Sequence, residues 1–218
     1  MLSLRPRPDP SRVAKRLFDI VGAALALLLL APLLLAVALW IKLDSPGPVF
    51  YRQERVGRHG VPFRIHKFRT MRHAAGGLLL TVGADPRITR AGAFLRRTRL
   101  DELPQFIDVL RGRMSLVGPR PEVPRYVAHY PPVLRERALA VRPGLTDPAS
   151  LAYIDEASLL AAAADPEREY IERILPAKVA RAAAYAESAT LLSDVAVLWR
   201  TLLTLTGVTR RDAGPPGA

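Results

Sequence analysis

IVGAALALLLLAPLLLAVALWI, residues 20–41, carries no charged side chain. As a helix rising about 1.5 Å per residue, such a run is long enough to cross the hydrocarbon core of a bilayer, about 30 Å thick, so the stretch belongs to lipid. Pro32 stands in its middle, where it removes one backbone hydrogen bond and presses on the carbonyl of Leu28, and a kink or break is expected there. Both flanks are basic: Arg5, Arg7, Arg12, Lys15 and Arg16 precede the run, and Lys42, Arg52, Arg55 and Arg58 follow it. The positive-inside rule therefore gives no direction across the membrane. Two arrangements stay open, a single span and a broken helix or helical hairpin that dips into one leaflet and returns. A secretory signal peptide is the weaker reading, because the apolar run continues past the cleavage-like Ala36-Val37-Ala38 and meets a second basic segment.

Outward from this run, the 218 residues with 50% hydrophobic content suffice for one domain with its own core. The formal net charge of +12 calls for a partner rich in phosphate: nucleic acid, an anionic membrane surface or a phosphorylated small substrate. Most of the basic residues precede residue 126, beside the motifs described below. With no cysteine, disulfides, thiolate catalysis and cysteine-ligated zinc are excluded. His59, His66 and His73 share a spacing of seven that matches no metal-site signature, and a surface or loop role is expected for them.

A turn-rich stretch at 44–48 leads into two strand-like segments, 49–52 and 62–68, which read as a small hairpin. Leu103, Phe106, Ile107 and Leu110 form the apolar stripe of a helix that starts at Asp101-Glu102 and ends near Gly112. Prolines punctuate the chain beyond Gly118, and residues from 155 onward have helical character. The last element, 191–205, crowds Leu191, Leu192, Val195, Leu198, Trp199, Leu202 and Leu203 on one side. It reads equally as a core-packing helix or as one lying in the headgroup layer. The tail 210–218 reads as disordered.

No Walker-type loop, dinucleotide fingerprint or zinc-protease motif is present. The best local candidate for phosphate chemistry is Leu100-Asp101-Glu102-Leu103-Pro104-Gln105, where Asp101 is placed to cap the helix and Pro104 falls in its first turn. An N-cap aspartate with an acidic neighbour is the plainer account of the pair. The chemical account is that a helix N-terminus gathers phosphate oxygens and a carboxylate among them reaches phosphorus. A divalent cation bridging Asp101 and a diphosphate would relieve the repulsion, and Lys67, Arg69, Arg96 and Arg120 are available as shields.

Seven blocks of the chain resemble, in order, the core of the bacterial sugar transferases known as monotopic phosphoglycosyl transferases. These are Lys15-Arg16-Leu17-Phe18-Asp19, then 45–57 with Gln53, Arg55 and Gly57, then Lys67-Phe68-Arg69-Thr70-Met71 and Asp85-Pro86-Arg87-Ile88-Thr89. Residues 100–105, Met114 with 115–122, and Arg142-Pro143-Gly144-Leu145-Thr146 complete them. The resemblance implies a mainly helical α+β fold with a small β-hairpin, a re-entrant membrane helix broken at Pro32, and interfacial amphipathic helices. It divides the chain into a basic segment 1–14, the membrane helix 15–42, a catalytic domain 43–206 and a tail 207–218. Both helix ends would be cytoplasmic, with the active site at the cytoplasmic face of the bacterial inner membrane.

By the same resemblance, Asp101 attacks the β-phosphate of a UDP-sugar, UMP leaves, and polyprenyl phosphate takes the phosphosugar from the aspartate. Glu102 is its acidic partner, and Mg2+, held by Asp101, assists. Lys67, Arg69, Arg96, Pro119 and Arg120 match positions around the phosphates or the carrier. The expected partners are UDP-sugar, polyprenyl phosphate and membrane lipid, with a homodimer allowed and no nucleic acid. The chain departs from the commonest pattern at Asp147-Pro148-Ala149-Ser150-Leu151, so sugar specificity is not carried over. A membrane-tethered nucleic-acid binder is the rival reading, but it lacks a groove-reading module and its aromatics are only 6% of the chain. A structural membrane protein without catalysis is the other.

Overall fold

The computed structural model describes residues 10–72, 80, 85–153 and 156–206, so the expectations for His73 and for the tail fall outside it. Helix α1 runs from Pro10 to Asp44 and continues through Pro32. No loop interrupts the helix within 20–41, so a return to the same face would come from a bend in the helix at Pro32 and not from a turn between two helices. Proline removes a single bond from the ladder, and the remaining bonds of a long apolar helix carry it past. The helix is long and apolar enough to cross a membrane. Its middle is bare, with Leu28, Leu29 and Leu35 more than 70% exposed.

The ends of α1 are not bare, and both are held by the same body of the protein. At the N-terminal end the Lys15 ammonium donates to Val117 O at 3.1 Å and pairs with the fully buried Asp194. Asp19 accepts from Ser115 Oγ and Leu116 N, both at 3.0 Å. At the C-terminal end Val37 and Ile41 join Phe68 and Leu95 in a buried cluster. There Arg69 donates to the carbonyls of Ile41, Ser45 and Pro46, and Asp44 accepts from Ala91 N.

Strands β1 (Phe50–Val56) and β2 (Pro62–Phe68) form an antiparallel hairpin, with Phe50 opposite Phe68 and Val56 opposite Pro62. Its turn uses left-handed backbone at His59 and Gly60. β1 runs four residues beyond the expected 49–52, because Val56 N also finds an acceptor in Glu122 O. Helix α2 (Arg90–Thr98) precedes a 3-10 segment, Leu100–Gln105, that runs into α3 (Phe106–Leu110). A second sheet, unforeseen from sequence, pairs β3 (Ser115–Val117) in parallel with β4 (Gly144–Thr146). At three residues each, these strands are too short for an alternation to register.

Between those strands lie α4 (Pro124–Val127) and α5 (Pro132–Ala138), and after them α6 (Pro148–Ala152), α7 (Glu156–Ala161) and α8 (Pro166–Glu169). A π-helical turn, Tyr170–Ile174, leads into α9 (Leu175–Ser188), and α10 (Leu191–Leu205) closes the described chain. Tyr126, Leu160, Tyr170, Leu175 and Val179 form the core of this helical half. Helix α10 packs on the core through Val197 and Leu198, but most of its apolar side does not. Its buried residues are Asp194 and Val197, whereas Leu192, Trp199 and Leu202 are exposed.

Candidate active site

Arg99 adopts left-handed backbone (φ 60°, ψ 13°), which ends α2 and starts the 3-10 segment at Leu100. Asp101 thus lies inside the first turn, and no side chain caps it, contrary to the expected N-cap role. The residues facing inward are Asp101, Pro104, Gln105, Asp108 and Val109, at helical spacing. The apolar stripe Leu103, Phe106, Ile107 and Leu110 is half-buried or exposed, with α3 against α1. The expected polarity is inverted, and the acids face the protein.

Two separate parts of the chain bring cations to Glu102. Lys67, on β2, donates from Nζ to Oε1 at 2.8 Å. Arg120, after β3, donates from Nη1 to Oε2 at 3.0 Å and from Nη2 to Oε1, a two-pronged pairing that fixes the carboxylate plane. Arg120 is itself fixed from behind, since its backbone N–H donates to Asp147 Oδ2 at 3.1 Å. Asp147 also caps α6 through Ser150 N. Close crossing of Gly118 and Gly144 makes this possible: a Cβ on Gly144 would lie 2.1 Å from Gly118 N, and one on Gly118 2.4 Å from Arg142 O. Pro119 contributes its carbonyl to Gly144 N at 3.0 Å, a backbone role beside Arg120.

Asp101 is buried at 8% exposure, and its Oδ1 has no hydrogen-bond partner. Arg96 supports this side of the site, reaching Thr70 Oγ1 at 3.4 Å. Burial, followed by the charge of Glu102, pushes the Asp101 carboxyl above the usual range, with Lys67, Arg96 and Arg99 opposing. Burial pushes Glu102 upward too, but Arg120 and Lys67 overcome it and hold Glu102 well below the usual range. Lys67 is itself lowered, its burial outweighing its attraction to Glu102, while Glu102 raises Arg120 despite burial. The favourable charge of the triad therefore rests mainly on Arg120. Two adjacent carboxyls are driven apart, one firmly ionised and one raised, a division that enzymes use to separate roles.

Lys67, Arg96, Asp101, Glu102 and Arg120 are thus assembled, and Arg69 is not. Its guanidinium is buried at the C-terminus of α1, occupied by three carbonyls. The surface role expected of His66 also fails. The residue is buried, its Nδ1 lies 2.7 Å from Asp108 Oδ1, and its backbone N–H donates to Asp108 Oδ2 at 2.8 Å. This pair ties the strand carrying Lys67 to the helical stretch carrying Glu102. Sequence reading gives Asp108 no role, and Asp147 only a place in the segment that departs from the family pattern. Asp147 had a visible signal, an Asp-Pro pair opening a helix, the N-cap arrangement.

A cavity of about 30 Å³ lies behind Arg120, lined among others by Glu122, Tyr130, Asp147 and Lys178. It is far too small for a nucleotide. Among the described residues no three His, Cys, Asp or Glu side chains gather as a metal site.

The chain spans from 24% to 66% of the length of the curated relatives it matches. A UDP-glucose:undecaprenyl-phosphate glucose-1-phosphate transferase of Escherichia coli (strain K12) is 47% identical over 145 residues, 65% of this chain and 31% of the relative. One of the same description from Caulobacter vibrioides is 48% identical over 154 residues, 67% of this chain and 58% of the relative. The UDP-N-acetylgalactosamine-undecaprenyl-phosphate N-acetylgalactosaminephosphotransferase of Aeromonas hydrophila is 39% identical over 208 residues, 93% of this chain and 46% of the relative. The model of bacterial sugar transferases matches residues 10–207, a stretch that holds α1, the paired acids and every cation around them, and the chain belongs to that family.

Proposed function

We propose that this protein transfers a sugar 1-phosphate from a UDP-sugar to polyprenyl phosphate, as the first membrane step of polysaccharide or glycoconjugate assembly. The observation that carries the reading is the unpartnered Asp101 Oδ1, buried beside a Glu102 that Lys67 and Arg120 hold ionised. A carboxylate oxygen with no hydrogen bond to surrender is a ready nucleophile once substrate charge is offset. Asp101 attacks the β-phosphorus, the bond from that phosphorus to the bridging oxygen breaks, and UMP leaves with the electron pair. A phosphate oxygen of the polyprenyl carrier then attacks the same phosphorus and displaces Asp101. Lys67, Arg96 and Arg120 supply the positive charge that the phosphates meet, and Glu102 fixes two of these cations in place.

The residues also fit a magnesium ion. Mg2+ is commonly held by one or two carboxylates together with substrate phosphates, and Asp101 offers a buried oxygen without a partner. When bound, it would neutralise diphosphate charge beside the nucleophile.

The helix α1 enters and leaves on the same, cytoplasmic face. What supports this is the attachment of both its ends, through Lys15 and Asp19 and through Ile41 and Asp44, to one folded body, with basic flanks on both sides. The exposed apolar face of α10 lies in the headgroup layer, with Trp199 at the interface.

The test is release of UMP by purified protein given Mg2+, polyprenyl phosphate and a panel of UDP-sugars. Without the lipid acceptor, intact-protein mass should rise by one phosphosugar, mapped to the peptide holding Asp101. No UMP release from any UDP-sugar defeats the function, and a modification on another residue defeats the nucleophile.

A further inference from the structure

At the opposite end of the helical stretch from Asp101, roughly 15 Å along its axis, three arginines from separate elements converge. Arg16 of α1 donates from Nη2 to Leu110 O at 3.2 Å. Arg142, before β4, donates from Nε to Gly112 O at 2.9 Å. Arg58, in the hairpin turn, donates from Nε to Ala140 O at 2.9 Å, two residues from Arg142. Each guanidinium is thereby fixed by a backbone carbonyl, with its remaining donors unspent. Arg16 Nη1 is buried and has no partner.

Among the described residues none of the three makes an ion pair with a carboxylate. Asp19, the acid that bears on Arg16, is already accepting from Ser115 and Leu116. Arg142 bears on both of the others: burial and then its charge lower Arg16 and Arg58, with Arg12 adding to the effect on Arg58. Like charges gathered without a counter-ion cost free energy that a bound anion would recover. The neighbouring surface is apolar, with Val13 and Leu17 on the adjoining turns of α1 and Leu110 on α3 exposed. A phosphate bearing acyl chains would satisfy both halves of this surface.

We propose that Arg16, Arg58 and Arg142 form a binding site for the headgroup phosphate of an anionic phospholipid, separate from the catalytic site. The bound lipid clamps α1, the hairpin turn and the β4 approach together at the membrane surface. The site does not depend on the proposed reaction, and its failure would leave that reaction untouched.

The test uses the full chain purified in detergent. Thermal unfolding and native mass spectrometry are followed as dioleoyl phosphatidylglycerol, dioleoyl phosphatidylcholine or inorganic phosphate is added. Phosphatidylglycerol should raise the melting temperature and remain as a stoichiometric adduct, and phosphatidylcholine should do neither. Arg58→Gln with Arg142→Gln should weaken the phosphatidylglycerol response about tenfold. Arg58→Lys with Arg142→Lys should weaken it severalfold, because an ammonium keeps the charge but loses the planar fork. Arg58→Gln alone, which removes only one exposed backbone contact, serves if the double variants do not fold, and should weaken the response severalfold. An unchanged response in the glutamine variants, a full response in the lysine variants, or an equal response to inorganic phosphate would each overturn the proposal.

Discussion

Replacing Asp101 with asparagine should raise the melting temperature of the protein, and replacing its neighbour Glu102 with glutamine should lower it, although both variants should lose turnover. The signs follow from the opposite directions of the two carboxyls. A buried polar group without a partner costs about 1–3 kcal/mol in mutational series. Asparagine removes the charge at Asp101 and keeps the polarity, so the gain is about 1 kcal/mol, or roughly 2–4 °C for a chain of this size. Glu102→Gln instead strands two cations. Removing one member of a buried pair costs about 3–5 kcal/mol. Since the Arg120 and Lys67 side chains keep 30% and 16% exposure, the lower end applies, about 3 kcal/mol and a fall of roughly 6–12 °C.

The pH dependence separates the two further. The folded carboxyl of Asp101 is raised, so its ionisation works against folding. That cost is absent below the ordinary carboxylate value, where both states are protonated, and complete above the raised folded value. The asparagine advantage should therefore vanish in acid and grow as pH rises toward neutrality. Glu102 is lowered, so its contribution is present above its ordinary 4.5 and lost as pH falls through the folded value. Melting in detergent across a pH series, alongside UMP release, reads all of this. A stability loss for Asp101→Asn at pH 8, or equal shifts for both variants, would refute the account of the site.

Gly144→Ala should misplace Arg120, because its Cβ would meet Gly118 N at 2.1 Å; a loss of more than about 3 kcal/mol in stability, with turnover falling in parallel, is expected from calorimetry and kinetics. His66→Phe should cost about 2–3 kcal/mol by leaving the fully buried Asp108 with only the backbone N–H of residue 66. Adding Asp108→Asn should recover at least half of that, as read by thermal unfolding. Single cysteines at Arg12 and Glu54 should behave alike toward an impermeant reagent in spheroplasts, both protected from outside; labelling of only one would mean that α1 spans.

The hairpin strand 62–68 was legible to the residue, because its alternation and bounding glycines are local signals. The acidic pair and the cations Lys67, Arg96 and Arg120 were legible through the resemblance of their motif blocks to the family, since singly each reads as a helix cap or a surface charge. What sequence could not supply was direction. Lys67 and Arg69 stand on one strand two residues apart, and nothing local says that the first turns to Glu102 while the second is taken by the end of α1. The β3–β4 pairing was equally hidden, since it depends on two glycines 26 positions apart meeting backbone to backbone. Asp108 reads as a solvated helix residue until His66, 42 positions away, is brought against it.

The largest misreading, the stripe at 103–110, explains where the site lies. A period of 3.6 identifies an apolar face but does not say which solvent it meets, and in a soluble protein that face would be the core. Here α3 and α10 both turn acids inward, Asp101 and Asp108 in one stretch and Asp194 in the other, and each acid is tolerable there because bases lie close by. Several of their apolar residues, Leu110, Leu192, Trp199 and Leu202 among them, are exposed, and these and the bare middle of α1 are surface that water would penalise and lipid would not. The same short helical stretch thus presents an apolar side and an ionic side about 10 Å apart, the width of one helix. On the proposed function, that separation would let Asp101 meet a phosphate whose hydrocarbon chain stays in the membrane while the soluble substrate arrives from the aqueous side.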